Sequence, residues 1–361
     1  PGAEAGEFTA AAKVTSISEW QEAMLRLGDL AAGQGRPLNA ATYYRAAEFF
    51  LPFDDPRKLA AYRRYREEIA AVDVGWPYER VEAAYGDGAL PAYRFTPSGA
   101  ARDRVLIHGG FDSYAEEFLF WAAEWAQAGF EVIVFEGPGQ GGALRDFGLT
   151  MDPFWEAPVG AMLDHFRIED CTLIGLSLGG CLAPRAAAFE ARIQRVIALD
   201  VLYDFFDCFG ARLGPAVATA ISRRLACGDD AAVQALFERV TQAQPSLAWA
   251  AAHGRHISGS QSVAEYLRWL KAMSTGSFSG LIRQDVLVMA GTEDHIVPLD
   301  QFYKQVAALT NVRSLTARLF TEAEDGQAHC RVGAMRLVLD YMRDWIEFHL
   351  ARAAPAARAA A

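Results

Sequence analysis

Ser177, Asp294 and His329 are residue types that together can activate a hydroxyl and attack a carbonyl, and they occur in the order serine, acid, histidine. A serine hydroxyl is a weak nucleophile, so it needs a base, and the base needs an acid that fixes its tautomer. Ser177 is the centre of G-L-S-L-G-G (175–180), preceded by apolar Leu173 and Ile174 and followed by the alanine-rich run Cys181 to Phe189. Strand, G-x-S-x-G and helix predict a strained turn that lifts the serine oxygen clear of a sheet. Glycines two before and two after the serine are needed where strand and helix come close. The same turn aims the Leu178 backbone N–H at the oxygen of an attacked carbonyl.

The acid and the base must arrive from elements that end at the same edge. D-V-L-V-M-A (285–290) reads as a buried strand running into G-T-E-D-H, which puts Asp294 just past a strand's C-terminal end. Glu293 and Asp300 are its competitors. Ser314 to Phe320 reads as another strand, and the polar loop Glu322 to Ala328 delivers His329 before a helical run, Val332 to His349. Among the other histidines, His295 adjoins the acid, His165, His253 and His256 precede it, and His349 lies on the last helix. His108 ends an earlier strand, Val105 to His108, and is followed by G-G-F-D-S-Y. A loop there suits a second oxyanion donor, the N–H of Gly110 or Phe111. Asp112 and Tyr114 on this loop, and Phe205 further on, are candidate pocket residues.

The remaining chain supplies the frame. Ser18 is expected to cap a helix through Leu27, with further helices at Ala40 to Leu51 and Arg57 to Val72. This segment resembles a single helical repeat unit, which must cover its apolar face, and the catalytic body and its active site are the expected cover. Val81 to Tyr85 and Ala92 to Phe95 read as a hairpin across Gly86-Asp87-Gly88. Strands and helices then alternate, as in a doubly wound parallel sheet. E-G-P-G-Q-G-G (136–142) lacks the lysine and spacing of a phosphate loop and reads as a turn shaping the sheet. Residues 205–280 carry helices with little strand pattern, a cap whose Phe205, Phe206, Phe209, Trp249, Tyr266 and Trp269 are divided between lid core and pocket.

The expected divisions are a disordered or added leader (1–15), a helical N-terminal extension (16–75), the first part of the core (76–204), the cap (205–280), the second part of the core (281–350) and a flexible tail (351–361). A chain of 361 residues, 52% hydrophobic, can bury a large core. A net charge of −11 without a basic cluster argues against nucleic acid as a partner. Five cysteines without a C-x-x-C pair suggest reduced thiols, a cytoplasmic protein and no zinc site; Cys330 reads as packing. No apolar run approaches the roughly 18 residues of a membrane span. A homodimer is left open, and the expected partner is a small-molecule substrate.

With G-L-S-L-G-G, G-G-F-D-S-Y-A-E-E-F, E-G-P-G-Q-G, G-T-E-D-H-I-V-P and the His329 loop, the chain resembles an α/β-hydrolase over roughly residues 16–350. It is similar to the branch of 2,6-dihydroxypseudooxynicotine hydrolase and the fungal pigment polyketide-shortening hydrolases. The resemblance implies an α/β-hydrolase fold, a mostly parallel doubly wound sheet with a helical N-terminal extension and a helical cap insertion. It also implies Ser177, Asp294 and His329 as catalytic residues, no metal or cofactor, and cleavage of a C–C bond beside a ketone in an aromatic or polyketide-like substrate. The branch often has aspartate where Glu136 stands. One member uses a further acid beyond the strand after the nucleophile; Asp200, Asp204 and Asp207 are the candidates here. Ester or thioester hydrolysis, acyl transfer with the same residues, and a non-catalytic binding role are the alternatives.

Overall fold

Eight strands, numbered in chain order, form one sheet: β1 (Glu79–Tyr85), β2 (Gly88–Phe95), β3 (Arg104–His108), β4 (Glu131–Phe135), β5 (Cys171–Leu176), β6 (Ile193–Leu199), β7 (Asp285–Gly291) and β8 (Ser314–Phe320). The computed structural model describes residues 2–11 and 13–360. Across the sheet the order is β1-β2-β4-β3-β5-β6-β7-β8. β2 is antiparallel to β1 and β4, and every other pairing is parallel. The central strands β4, β5 and β7 are buried along their whole length, as continuous apolar runs covered on both faces must be. The chain steps one way from β3 to β4, crosses back over β3 to β5 and steps the other way from β5 to β6, so the switch point of the sheet lies between β3 and β5. Ligands bind at such points, beyond the strands' C-terminal ends. His108 pairs with Gly175 in register, which sets the loop after β3 beside the turn after β5.

The backbone separates into two compact units, one ending at Gly75 and the other starting at Trp76. The first contains α1 (Ala5–Ala11), α2 (Ile17–Gly33), α3 (Pro37–Phe50) and α4 (Pro56–Ala70). Side chains tie these helices together: Trp20 Nε1 donates to the Ala46 carbonyl at 3.0 Å and the Tyr44 hydroxyl to Asp29 at 2.8 Å. Lys58 and Glu48 form a buried pair at 3.0 Å. The leader expected to be disordered is helical over Ala5–Ala11, because Glu7 meets Arg36 at 2.7 Å and the Tyr43 hydroxyl at 2.7 Å. Ser16, not Ser18, caps α2; its extended backbone lets its oxygen accept the Glu19 N–H, while Ser18 lies inside the first turn.

In the second unit α5 (Leu119–Gln127), α6 (Gly141–Arg145), α7 (Glu156–Phe166) and α8 (Gly179–Phe189) accompany the first strands. α9 (Phe205–Leu213), α10 (Pro215–Cys227), α11 (Asp230–Thr241), α12 (Pro245–Ser258) and α13 (Val263–Ala272) form the cap between β6 and β7, followed by α14 (Leu299–Ala308) and α15 (Met335–Ala360). Within the cap Phe209 stacks on Phe237 at 6.0 Å and meets Tyr266 edge-on at 5.8 Å. The expected flexible tail continues α15 to Ala360, in keeping with the helix propensity of an alanine-rich run. All five cysteines are free. Among the described residues no helix is long and apolar enough to cross a membrane.

Candidate active site

β5 ends at Leu176 and α8 begins at Gly179, so the chain must reverse within two residues. Ser177 makes the turn at φ 58°, a left-handed conformation that costs a non-glycine residue on the order of 1–3 kcal/mol. A Cβ on Gly175 would lie 2.1 Å from the Gly179 carbonyl oxygen, so strand and helix can approach this closely only without one. The Ser177 N–H donates to the Leu199 carbonyl at 2.9 Å, tying the turn to β6.

The loops after β7 and β8 bring two further side chains to Ser177. Its Oγ lies 2.9 Å from His329 Nε2, and His329 Nδ1 lies 2.8 Å from Asp294 Oδ2. The other Asp294 oxygen accepts the N–H groups of Ile296 and Val297 at 2.8 and 2.9 Å. Glu293 is exposed, whereas the Asp294 side chain is 2% exposed, which decides between them in favour of Asp294 as the partner of His329. A carboxylate at Nδ1 holds the proton there and leaves Nε2 free to accept from the serine hydroxyl.

Asp200, at φ 61° just after β6, sits on the same side of the imidazole, 3.2 Å from Nδ1. It accepts from the Cys330 N–H with one oxygen and from Arg331 Nη2 with the other, the pattern of an ionised carboxylate. Arg331 is fully buried, and Cys330 and Arg331 are consecutive left-handed residues at φ 50° and 55°. The Asp200 clamp therefore holds the strained backbone directly after His329. Burial favours neutral imidazole, but the Asp294 hydrogen bond and the charges of Asp200, Asp294 and Asp112 outweigh it and raise the His329 pKa. Burial likewise opposes ionisation of Asp294, yet its bond to His329 and its backbone donors keep its pKa low. Asp200 is raised by burial, against the pull of His329 and Arg331. Asp200, His329 and Cys330 present atoms within 4.8 Å of one another, a spacing that could suit a metal ion. The Asp200 oxygens are already committed to Arg331 and the Cys330 amide, and burial keeps the Cys330 thiol protonated, so the donor set fits a cation poorly.

The loop after β3 packs against the elbow. A Cβ on Gly110 would fall 2.5 Å from the Leu178 nitrogen, so only glycine lets the two segments meet. Three successive carbonyls of the loop are held by side chains: Gly109 by His108 Nδ1 at 2.8 Å, Gly110 by Gln140 Nε2 at 3.0 Å and Phe111 by His253 Nε2 at 2.8 Å. Burial pushes the His108 pKa down to about 4, so the ring is neutral, and its Nε2 accepts from Trp155 Nε1 at 3.2 Å. E-G-P-G-Q-G thus anchors the loop after β3: Gln140 reaches Gly110, and Glu136 accepts the N–H groups of Ala115 and Gly142.

A cavity of about 110 Å³ opens at Ser177 and His329, walled by Phe111, Leu178 and the cap side chains Phe205, Phe209, Trp249 and Tyr266. Its charged lining residues are Asp112 and Arg212. Tyr114 is not among the lining residues, in contrast to expectation; its hydroxyl accepts from Arg145 at 2.7 Å. None of the three candidate auxiliary acids lines the cavity either. Asp200 lies behind the imidazole, Asp204 caps α9 through the Asp207 N–H at 2.9 Å, and Asp207 pairs with Lys304 at the surface at 3.1 Å. Arg331, His253 and Arg212 carried no signal in spacing or motif, and Gln140 stood within E-G-P-G-Q-G, a motif read only as a turn shaping the sheet.

The alpha/beta hydrolase family matches residues 105–338. A hydrolase of Aspergillus aculeatus, acrC, is 30% identical over 89% of this chain and 82% of its own length. The 20-hydroxy-prefusarin hydrolase FUS2 of Gibberella moniliformis is 28% identical over the same shares. The crystal structure of 2,6-dihydroxy-pseudo-oxynicotine hydrolase superposes with a TM-score of 0.65 at 19% identity, covering 95% of this chain and 92% of that one. Taken with the eight-stranded sheet, the family match and the 30% relative establish that this chain belongs to the alpha/beta hydrolase family and is a hydrolase.

Proposed function

We propose that the protein is a serine hydrolase in which Ser177 is the nucleophile, His329 the general base and Asp294 the acid that orients it. The observation that carries this reading is the continuous relay of Ser177 Oγ, His329 and Asp294, with contacts of 2.9 and 2.8 Å on a strained strand-to-helix turn. His329 Nε2 takes the serine proton as Oγ bonds to the substrate carbonyl carbon. The carbonyl oxygen becomes an oxyanion held by the N–H groups of Leu178 and of Phe111 or Gly110; one such donor is worth roughly 10²–10³ in rate. His329 then returns the proton to the leaving group. Water, deprotonated by the same imidazole, releases the acyl group from Ser177.

An ester or thioester needs nothing beyond these groups, because its leaving oxygen or sulfur accepts a proton readily. With Asp200, Asp204 and Asp207 away from the cavity, acyl-bond hydrolysis is the reading the geometry supports best. C–C cleavage beside a ketone is a second reading, favoured by one observation: Asp112 places a carboxyl group in the cavity, where a carbanion leaving group would need acid help. The aromatic lining suits a flat apolar substrate. Free thiols at all five cysteines fit a cytoplasmic location.

A fluorophosphonate probe should label the wild-type protein at Ser177. Ser177→Ala should fold normally, resist the probe and lose on the order of 10⁴-fold or more in turnover of an aryl ester. Retention of more than about a tenth of the activity would reject the serine mechanism.

A further inference from the structure

We propose that the cap side of the cavity is a subsite for an acidic oxygen, in which Arg212 takes a carboxylate or enolate carried by an otherwise apolar ring substrate. This deepens the serine hydrolase reading and rests on it. Arg212 closes the last turn of α9 and lines the same cavity as Ser177. Its Nη2 donates to Ser246 Oγ at 2.9 Å, and no carboxylate among the described residues forms an ion pair with it. A guanidinium has five donors, so this bond leaves most of its capacity open. Arg212 is half-buried, so its charge keeps part of its solvation and its free donors can turn to an anion that enters the cavity.

Tyr266 closes another part of the wall: its ring is fully buried and stacks on Trp269 at 5.9 Å. Its hydroxyl is enclosed against α12, where a Cβ on Gly254 would fall 2.6 Å from it, so it is sealed from the cavity and leaves Arg212 as the donor there. A guanidinium with open donors offers them to an anionic oxygen and little to a neutral apolar group. The cavity bounds what it encloses: about 110 Å³ is less than the roughly 150 Å³ that houses a benzene ring, so no more than one ring fits inside it. The enclosed part of the ligand is thus one aromatic or conjugated ring, with its acidic oxygen at Arg212 and its scissile carbonyl at Ser177.

The test measures binding without turnover. In Ser177→Ala protein, calorimetry compares 3-phenylpropanoate with 3-phenylpropanamide, which differ only in the acidic oxygen. The acid is expected to bind at least about tenfold tighter. Adding Arg212→Met should bring the two within about threefold, whereas Arg212→Lys should keep part of the preference, since lysine retains the charge but not the fork. Tyr266→Phe should leave the preference unchanged, since its hydroxyl is sealed from the cavity. Equal affinity for acid and amide, no detectable binding of either, or a preference that survives Arg212→Met would overturn the subsite. Thermal melting identifies any variant that fails to fold, and Arg212→Lys then carries the comparison. Fluorophosphonate labelling of Ser177 needs no acidic group, so failure of the hydrolase reading is read separately.

Discussion

The two walls of the cavity are built on different principles. On the sheet side the polar groups hold one another: His329 faces two carboxylates, Asp294 accepts three bonds and three successive loop carbonyls are each tied by a side chain. Arg331 spends Nη2 on Asp200 and leaves Nε and Nη1 without a partner among the described residues. Four of the six non-glycine residues with positive φ, Ser177, Asp200, Cys330 and Arg331, lie here, so the strained backbone of the described residues is concentrated at the chemistry. On the cap side the contacts are ring against ring, and a cation and a hydroxyl stand with few partners. A preorganised wall stabilises a transition state, while an apolar wall binds substrate and transition state alike. Rate should therefore depend on the sheet wall, and choice of substrate on the cap wall.

Substitutions on the sheet wall should break this contrast most severely. Asp294→Asn should favour the wrong tautomer and lower kcat by about 10³–10⁴-fold, with Glu293→Gln within about twofold; steady-state kinetics that rank them equally would undo the assignment. Asp112→Asn should lower cleavage of an aryl ketone by about 10²-fold and leave an activated aryl ester nearly unchanged. Equal effects on both substrates would remove Asp112 from the chemistry. Asp200→Asn should cost roughly tenfold in kcat and also move the pH profile. His329 must be neutral to act as base, so activity rises as pH climbs through its pKa, which its carboxylate neighbours hold above the ordinary value of about 6.5. Removing the Asp200 charge withdraws support from the imidazolium, so the midpoint of kcat/KM should shift to lower pH. The smallest change belongs to the cap: Trp249→Leu should raise KM severalfold and leave kcat within about twofold, as expected for uniform binding.

The frame of the site was legible because it is written in local terms. β5, the two glycines and α8 form one contiguous pattern, and each strand that ends at the site reads as an apolar run with a polar exit. Asp294 and His329 followed from chain order and from strand ends. Asp200 was visible as one acid among three, but only contacts with residues about 130 positions later separate it from Asp204 and Asp207. Arg331 gave no sign at all, since a charged residue is ordinarily exposed and nothing local announces its partner. The cap failed for a related reason. Phe205 and Phe209 line the cavity while Phe206 and Trp269 do not, a distinction set by how helices rotate against each other rather than by residue type. Tyr114 illustrates the same limit, with Arg145 claiming its hydroxyl.

The enclosed group behind Ser177 also has a charge count. Asp200 and Asp294 contribute two negative charges and Arg331 one positive, all three nearly or wholly out of solvent. With neutral imidazole the group carries one uncompensated negative charge. A proton arriving on His329 cancels it, so imidazolium formation brings this corner of the protein to electroneutrality instead of creating a new buried ion. In the proposed mechanism the resting enzyme is, in this sense, the electrostatically unbalanced state, and the step that deprotonates Ser177 is the one that balances it.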